Sequence, residues 1–271
     1  MLPKRLNNIR PYLASFIFSR FARPPFHELM RWLIQPGKEK RAACFLNRIE
    51  EIQDFREIWF KGYEKPFYYP NHARWIDLCQ TIDECMNLNK WHNFITKETP
   101  LTPNDIVVDC GAAEGLFSFV ASAISKKIYA IEPIPTWHPA LDKTFSTVQN
   151  VQILKYGVGH KKDILNMTND EIFSKVSSNG NIAIEIDTLD GMLGDTPITF
   201  IKADIEGFEF QMLLGAEKVI KRNRPKISLT VYHDGNDISE IMSFLHYLHS
   251  DYSFKTRGIA ENGNPVLLTA Y

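Results

Sequence analysis

The stretch from residue 105 to residue 133 constrains the fold of this chain most, because it combines two apolar runs, a glycine turn and a helical repeat. Residues 106–108 have the composition of a buried parallel strand, which ends at Asp109. A glycine-containing turn follows, and then apolar side chains recur at helical spacing. A second apolar run ends at Glu132. This pattern predicts a strand–helix–strand unit with a ligand-binding turn at the carboxyl end of its first strand.

The acids around this turn indicate which ligand the unit binds. Glu132 follows Gly111 by about 20 residues, the offset at which an acid reaches the hydroxyls of a ribose, so an adenosine-type cofactor is expected. Ala113 stands where a dinucleotide fingerprint has its second glycine, and the carboxylates of Asp109 and Glu114 would repel a pyrophosphate. S-adenosylmethionine is cationic at sulfur and has no phosphate, so these acids favour it. A strand–helix corner without a ligand is the alternative.

Four motifs follow one another along the chain in an order that resembles a known family. They are Asp109-Cys-Gly-Ala-Ala-Glu-Gly115, Tyr129-Ala-Ile-Glu-Pro133, Thr188-Leu-Asp190 and Lys202-Ala-Asp-Ile-Glu-Gly-Phe-Glu209. The chain is similar in these motifs to the FkbM family of S-adenosylmethionine-dependent O-methyltransferases, over residues 93–233. The resemblance implies an α/β fold, a Rossmann-like class I methyltransferase sheet with helices on both faces. The first ninety residues match no motif of the family, and the apolar spacing there predicts an N-terminal helical extension.

Three regions are predicted along the chain. Residues 1–41 form a basic aromatic arm, residues 42–100 a helical extension or lid, and residues 101–271 the S-adenosylmethionine-binding domain. Apolar side chains at three-residue steps predict a helix over residues 42–62, and a second amphipathic helix is expected over residues 75–86. The extension either covers the cofactor and shapes an acceptor pocket or serves as a purely structural cap.

The arm is the one strongly charged part of a chain whose net charge is −1. Residues 1–41 contain nine basic and two acidic residues, interleaved with aromatic side chains. Such a segment can dock on an anionic membrane through residues 1–36, or it can pack on the main domain. No apolar run approaches the ~20 residues that span a bilayer, and nothing in the overall charge indicates nucleic-acid binding. We expect four reduced cysteines and a cytoplasmic location, at the inner face of a membrane if the arm docks there.

The later strands complete the predicted sheet. Residues 151–154 and 198–203 are expected to be its third and fourth strands, and residues 226–232 its fifth. A hairpin near the C-terminus is typical of class I methyltransferases. Residues 182–186 alternate in polarity and predict a half-exposed strand.

The carboxyl ends of these strands carry the candidate site residues, since ligands of open α/β sheets bind at that edge. The residues expected to bind the cofactor are Asp109, Gly111, Ala112, Gly115, Glu132, Pro133, Val158 and Asp204. Val158 is expected to lie against the adenine ring.

Four residues are candidates for catalysis, because a hydroxyl acceptor must lose a proton. Asp204 and Glu206 could supply a general base or part of a Mg²⁺ site. Alternatively, Asp204 binds the ammonium group of the cofactor and Glu206 caps the next helix. His233 could act as the base, and Lys202 could contact the acceptor or pair with a carboxylate.

The predicted function is in-line methyl transfer from S-adenosylmethionine to a hydroxyl group. The family resemblance implies a small-molecule or glycan acceptor, such as a sugar, a glycolipid or a natural product. One alternative is a nicotinamide-dependent oxidoreductase on a similar fold. Another is a non-catalytic binding module, in which the arm makes the functional contacts.

Overall fold

The computed structural model of the protein describes residues 25–168 and 180–271. Most of the basic arm, residues 1–24, lies outside the described residues, and so do residues 169–179. The part of the chain that precedes the main domain forms α1 (Phe26–Ile34), α2 (Lys38–Ala42), β1 (Leu46–Ile52), β2 (Phe55–Phe60), β3 (Phe67–Pro70) and α3 (Trp75–Met86). Strands β1, β2 and β3 form an antiparallel sheet in that order.

The prediction of a helix over residues 42–62 is wrong, because this segment contains the β1–β2 hairpin. The hairpin turns at Gln53, which has a φ of 55°, a value that suits tight hairpins rather than helices. Burial in β2 follows the two-residue period of a strand, with Ile58 and Phe60 buried. The extension is therefore mixed α/β and not purely helical, whereas α3 confirms the second predicted helix.

The remaining elements form the main domain. Its strands are β4 (Ile106–Cys110), β5 (Lys127–Ile131), β6 (Val151–Leu154), β7 (Gly157–Val158), β8 (Asp163–Met167), β9 (Ile182–Asp187), β10 (Phe200–Ala203), β11 (Lys226–Thr230), β12 (Phe254–Arg257) and β13 (Leu267–Ala270). Its helices are α4 (Leu116–Ser122), α5 (His138–Phe145), α6 (Leu189–Leu193), α7 (Glu209–Leu214), α8 (Glu217–Asn223) and α9 (Ile238–Leu248).

The central sheet has seven strands in the order β12-β13-β11-β10-β4-β5-β6. The strands from β11 to β6 in this order are parallel, and β13 runs antiparallel to both of its neighbours. The chain reverses its direction across the sheet at β4, between β5 and β10. Loops at the carboxyl ends of β4 and β10 therefore meet, which is where an open α/β sheet binds its ligand.

Both faces of this sheet are buried, since consecutive residues of one strand join opposite cores. Val107 and Phe200 belong to one core, which α4, α5 and the extension cover. Val108 and Ile201 belong to the other, which α6, α7, α8 and α9 cover. Helices on both faces confirm the predicted fold class.

A second, three-stranded sheet has the order β7-β9-β8 and lies beside the end of β6. Exposure alternates along β9, which confirms the half-exposed strand predicted there. Ile184 and Ile186 are its buried residues. These two side chains become part of the site described below.

The extension and the main domain share one core. The rings of Phe60 and Phe67 lie 5.9 and 5.6 Å from the ring of Phe119 in α4, measured between centroids. Phe67 is fully buried, and the contacts with Phe119 join β2, β3 and α4. The extension is thus held by aromatic packing against the face of the sheet that carries α4.

We expect Phe67→Ala to lower the free energy of unfolding by about 3–5 kcal/mol, because it opens a cavity in this shared core. Urea unfolding followed by circular dichroism measures the change. Phe26→Ala is the matched control, since Phe26 is 64% exposed and its loss should cost less than about 0.5 kcal/mol. Two separate unfolding transitions would contradict a common core.

Candidate active site

The glycine turn after β4 packs directly against the segment that follows β10. Gly111 has a φ of +76°, and a Cβ atom there would lie 2.2 Å from the carbonyl oxygen of Asp204. Gly115, at the start of α4, has a φ of +92°, and a Cβ atom there would lie 2.6 Å from the side chain of Leu141. Only glycine combines these φ values with such close contacts. The turn and the β10 segment therefore form a single wall.

A buried ion pair supports this wall from below. The Lys202 ammonium lies 2.9 Å from the Asp109 carboxylate and donates a hydrogen bond of 2.7 Å to the carbonyl oxygen of Gly111. The Ser118 hydroxyl donates to the second oxygen of Asp109 at 2.7 Å. Burial lowers the pKa of Lys202, but the carboxylates of Asp109 and Asp204 outweigh it and hold that pKa above its usual range. Asp109 and Lys202 thus position the turn and do not line the cleft.

A cleft of about 640 Å³, open solvent included, lies above the turn. Of the residues predicted to bind the cofactor, Gly111, Glu132, Pro133, Val158 and Asp204 line it. Ala112 and Gly115 belong to the turn without lining the cleft. The sequence analysis did not identify most of the apolar lining, to which Trp137, Ile184, Ile186 and Phe208 contribute. The alternating polarity of residues 182–186 was the sequence pattern that could have identified Ile184 and Ile186 as lining residues.

Glu132 fixes two backbone segments at the floor of the cleft. One of its oxygens accepts the backbone N–H of Ala113 at 2.7 Å, and the other accepts that of Ile134 at 2.7 Å. Burial raises the pKa of Glu132 to about 7, and these two hydrogen bonds oppose the rise. Each carboxylate oxygen retains a second lone pair for a further donor.

Glu209 organises the far side of the cleft, and the sequence analysis missed it although it closes the fourth motif. Its fully buried carboxylate accepts four hydrogen bonds, of 2.7–3.1 Å, from the backbone N–H of Ile205, the Thr230 hydroxyl, Nδ1 of His233 and the Asn236 amide. The hydrogen bond with His233 orients the imidazole ring. Nε2 of this ring then lies 3.8 Å from the carboxylates of both Asp204 and Glu206.

The charges of His233, Asp204 and their neighbours determine which of these side chains is protonated. Burial lowers the pKa of His233, but the hydrogen bond with Glu209 and the nearby carboxylates raise it to about 9. Burial raises the pKa of Asp204, but the charges of His233 and Lys202 hold it below its usual value. At neutral pH a protonated His233 therefore lies between two carboxylates. Asp204 and Glu206 remain 29% and 27% exposed at the wall of the cleft.

The loop that carries Glu206 has a constrained backbone. Glu206 has a φ of 54° and Gly207 a φ of +96°, and a Cβ atom on Gly207 would lie 2.1 Å from the carbonyl oxygen of Asp234. A non-glycine residue in the left-handed region costs free energy that neighbouring contacts must offset. The loop is thus held against the segment after β11, and it presents Glu206 to the cleft.

The predicted Mg²⁺ site stays a prediction. Asp204, Glu209 and His233 have ligand atoms within 4.8 Å of one another. Three of the four hydrogen bonds that Glu209 accepts go to Oε1 and one goes to Oε2, so only Oε2 has a lone pair left for a further partner.

A second cleft opens beside the first at the same edge of the sheet. It is lined by side chains of the extension and of the loops after β11 and β12, among them Lys38, Arg41, Glu84, His92, Tyr232 and Asn262. The Tyr232 ring lies 5.3 Å from the His92 ring, edge to face, and 4.2 Å from the His233 ring. These rings connect the second cleft to the carboxylates of the first.

His92 lies between Glu84 and Tyr232. Its Nδ1 lies 3.7 Å from the Glu84 carboxylate, and its buried Nε2 has no hydrogen-bond partner among the described residues. A buried polar atom without a partner costs free energy. The sequence analysis missed both residues, because residues 80–92 match no motif.

Comparisons with known proteins identify the family. The family model "Methyltransferase FkbM domain" matches residues 109–255, which is more than half of the chain. No curated protein matches the sequence.

The chain is similar to several solved structures. The methyltransferase FkbM from Methylobacillus flagellatus KT has 22% identity and a TM-score of 0.50, and the match covers 63% of this chain and 44% of that one. A Streptococcus mutans protein crystallised with S-adenosylhomocysteine has 16% identity and a TM-score of 0.43, covering 63% and 89%. An rRNA methylase from Streptococcus thermophilus has 17% identity and a TM-score of 0.40, covering 63% and 87%. This chain therefore spans less than half of the Methylobacillus protein.

The family model, the motifs that it covers and the Rossmann-like sheet agree with one another. The chain belongs to the FkbM family of S-adenosylmethionine-dependent methyltransferases.

Proposed function

We propose that the protein transfers the methyl group of S-adenosylmethionine to a hydroxyl group of a sugar, glycolipid or natural-product acceptor. The observation that carries this proposal is the pair of adjoining clefts at the carboxyl edge of the sheet. The first has the groups that suit the cofactor, and the second is lined by charged, amide and aromatic side chains. Asp204, Glu206 and His233 lie where the two clefts approach each other.

The first cleft suits an adenosine that has a cationic tail. The free lone pairs of Glu132 can accept the ribose hydroxyls, and Val158, Ile184 and Ile186 offer an apolar surface for the adenine ring. The negative charges of Asp204 and Glu206 at its wall attract the cationic tail. When bound, the cofactor supplies an activated methyl group for in-line displacement. A dinucleotide would instead bring its pyrophosphate close to these acids, so the family and the site both favour methyl transfer over the nicotinamide alternative.

The second cleft suits an acceptor that has several hydroxyl groups. Gln80 and Asn262 supply amide groups, Trp91 and Tyr232 supply ring surfaces, and His92 supplies the nitrogen described above. Amides and aromatic rings recognise polar ligands that also have apolar faces. These side chains would hold the acceptor with one hydroxyl towards Asp204.

Among the four predicted catalytic residues, we assign Asp204 as the acceptor of the hydroxyl proton. Lys202 is buried in its ion pair, and the raised pKa of His233 keeps its proton at neutral pH. Asp204 is ionised, partly exposed and part of the cleft wall. Asp204 would accept the proton that the acceptor hydroxyl loses when it is methylated. The imidazolium of His233 favours the charged form of the Asp204 carboxylate, and Glu206 adds a second negative charge to this wall.

Calorimetric titration of the purified protein with S-adenosylmethionine, S-adenosylhomocysteine and NAD tests the cofactor. We expect binding of the first two in the micromolar range and no binding of the third. Glu132→Ala should weaken binding at least about tenfold, because it removes charge-assisted hydrogen bonds of ~1.5–3 kcal/mol. Asp163→Asn is the control, since Asp163 is exposed and distant from the turn in sequence. Preferred binding of NAD would refute the proposed function.

A screen of hydroxylated acceptors with a radiolabelled methyl donor tests the reaction itself. With an acceptor found in this way, Asp204→Asn should lower turnover about 10²–10⁴-fold and leave the overall fold intact, since it removes the proton acceptor. Lys202→Met, in contrast, should lower stability as well, because it leaves Asp109 charged and unpaired. Full turnover of the Asp204→Asn protein would remove Asp204 from the mechanism.

The raised pKa of His233 makes a pH-dependent contribution to stability. Because the folded-state pKa is about 9 and the ordinary value is 6.5, the contribution is complete below pH 6.5 and disappears as the pH rises through 9. His233→Gln should therefore cost about 2–3 kcal/mol of unfolding free energy near pH 6 and much less near pH 10. Urea unfolding of both proteins across this range measures the difference. A cost that does not change with pH would show that His233 is neutral in the folded protein.

A further inference from the structure

The surface of α1 exposes an apolar stripe. Phe26, Met30 and Ile34 are 64%, 39% and 72% exposed. They follow one another at four-residue steps, so they lie along one side of the helix. Leu88, which is 68% exposed, helps to line the same surface groove as Pro25 and Glu28 at the start of this helix. Contiguous exposed side chains of this kind mark a surface that binds a partner.

Polar groups of α1 contact the body of the protein. The Arg31 guanidinium donates a hydrogen bond of 3.4 Å to the Asn89 side chain, and the charge of Glu28 acts on Arg257. Glu28 and Arg31 also line a groove with Asn87 and Lys90. Among the described side chains of α1, Phe26, Met30 and Ile34 remain exposed.

The charge around the stripe indicates what covers it. Residues 1–24 contain five basic residues and no acidic one, and residues 25–41 contain four basic and two acidic residues. A second copy of this chain would bring the same excess of positive charge and would be repelled. An anionic lipid surface combines the two properties that this region needs, a negative charge and an apolar interior.

We propose that α1 docks on anionic lipid membranes, with Phe26, Met30 and Ile34 in the headgroup–acyl boundary. Within the described part of the chain, no helix is long and apolar enough to cross a membrane.

Docking would also place the second cleft close to the membrane. Lys38 and Arg41 of α2 line that cleft, and α2 follows α1 after three residues. If the proposed methyl transfer is correct, an acceptor anchored in the membrane can then reach the cleft from the lipid surface. This consequence rests on the proposed function, whereas the docking itself does not.

Co-sedimentation of the full-length protein with vesicles tests the proposal. We expect binding to vesicles that contain phosphatidylglycerol, weaker binding at high salt, and none to pure phosphatidylcholine. Phe26→Ser combined with Ile34→Ser should lower binding at least about tenfold. The matched control is Ile164→Ser with Tyr247→Ser, since these side chains are 69% and 74% exposed on other elements. Circular dichroism and cofactor titration of each variant serve as controls for correct folding.

Three results would overturn the proposal. The first is equal binding by the stripe variant and the wild-type protein. The second is a wild-type dimer in solution that the stripe variant abolishes, without any vesicle binding, because a second copy would then cover α1. The third is vesicle binding only after deletion of residues 1–24, which would show that the chain covers its own stripe.

Discussion

The buried ion pair of Asp109 and Lys202 is the interaction on which the rest of the site depends. It joins β4 to β10 in the middle of the sheet, and the same ammonium holds the carbonyl oxygen of the glycine turn. Removing two charges from water is costly, and the loss of one partner would leave the other buried and unpaired. The geometry of the turn and the position of Asp204 are therefore coupled through one side chain.

The hydrogen bonds around Glu209 determine the charges on the far side of the cleft. A fully buried carboxylate binds the ring of His233, and the imidazolium in turn lies between Asp204 and Glu206. Negative charge thus remains at the wall of the cleft, where a cationic cofactor would benefit from it. The arrangement favours a sulfonium ligand.

The extension supplies many of the residues that line the second cleft. Aromatic packing of Phe60 and Phe67 on α4 fixes its sheet against the main domain. This contact lets α3 and the loop after it place Glu84 and His92 opposite Tyr232. The same packing therefore completes the shared core and places these side chains at the second cleft.

The sequence by itself determined the central sheet, the glycine turn and the family, because these depend on local patterns: apolar runs, glycines that tolerate positive φ, and acids at strand ends. It misjudged the β1–β2 hairpin, because the three-residue apolar spacing favours a helix, whereas in the two strands these side chains point to both faces and Ile49 is exposed. Only the tertiary structure placed Asp109 and Lys202 beneath the turn, gave His233 its proton, and brought His92 to the cleft. Protonation and cleft membership depend on burial and on contacts between residues distant in sequence, such as Glu84 and Asp204, which no local pattern encodes.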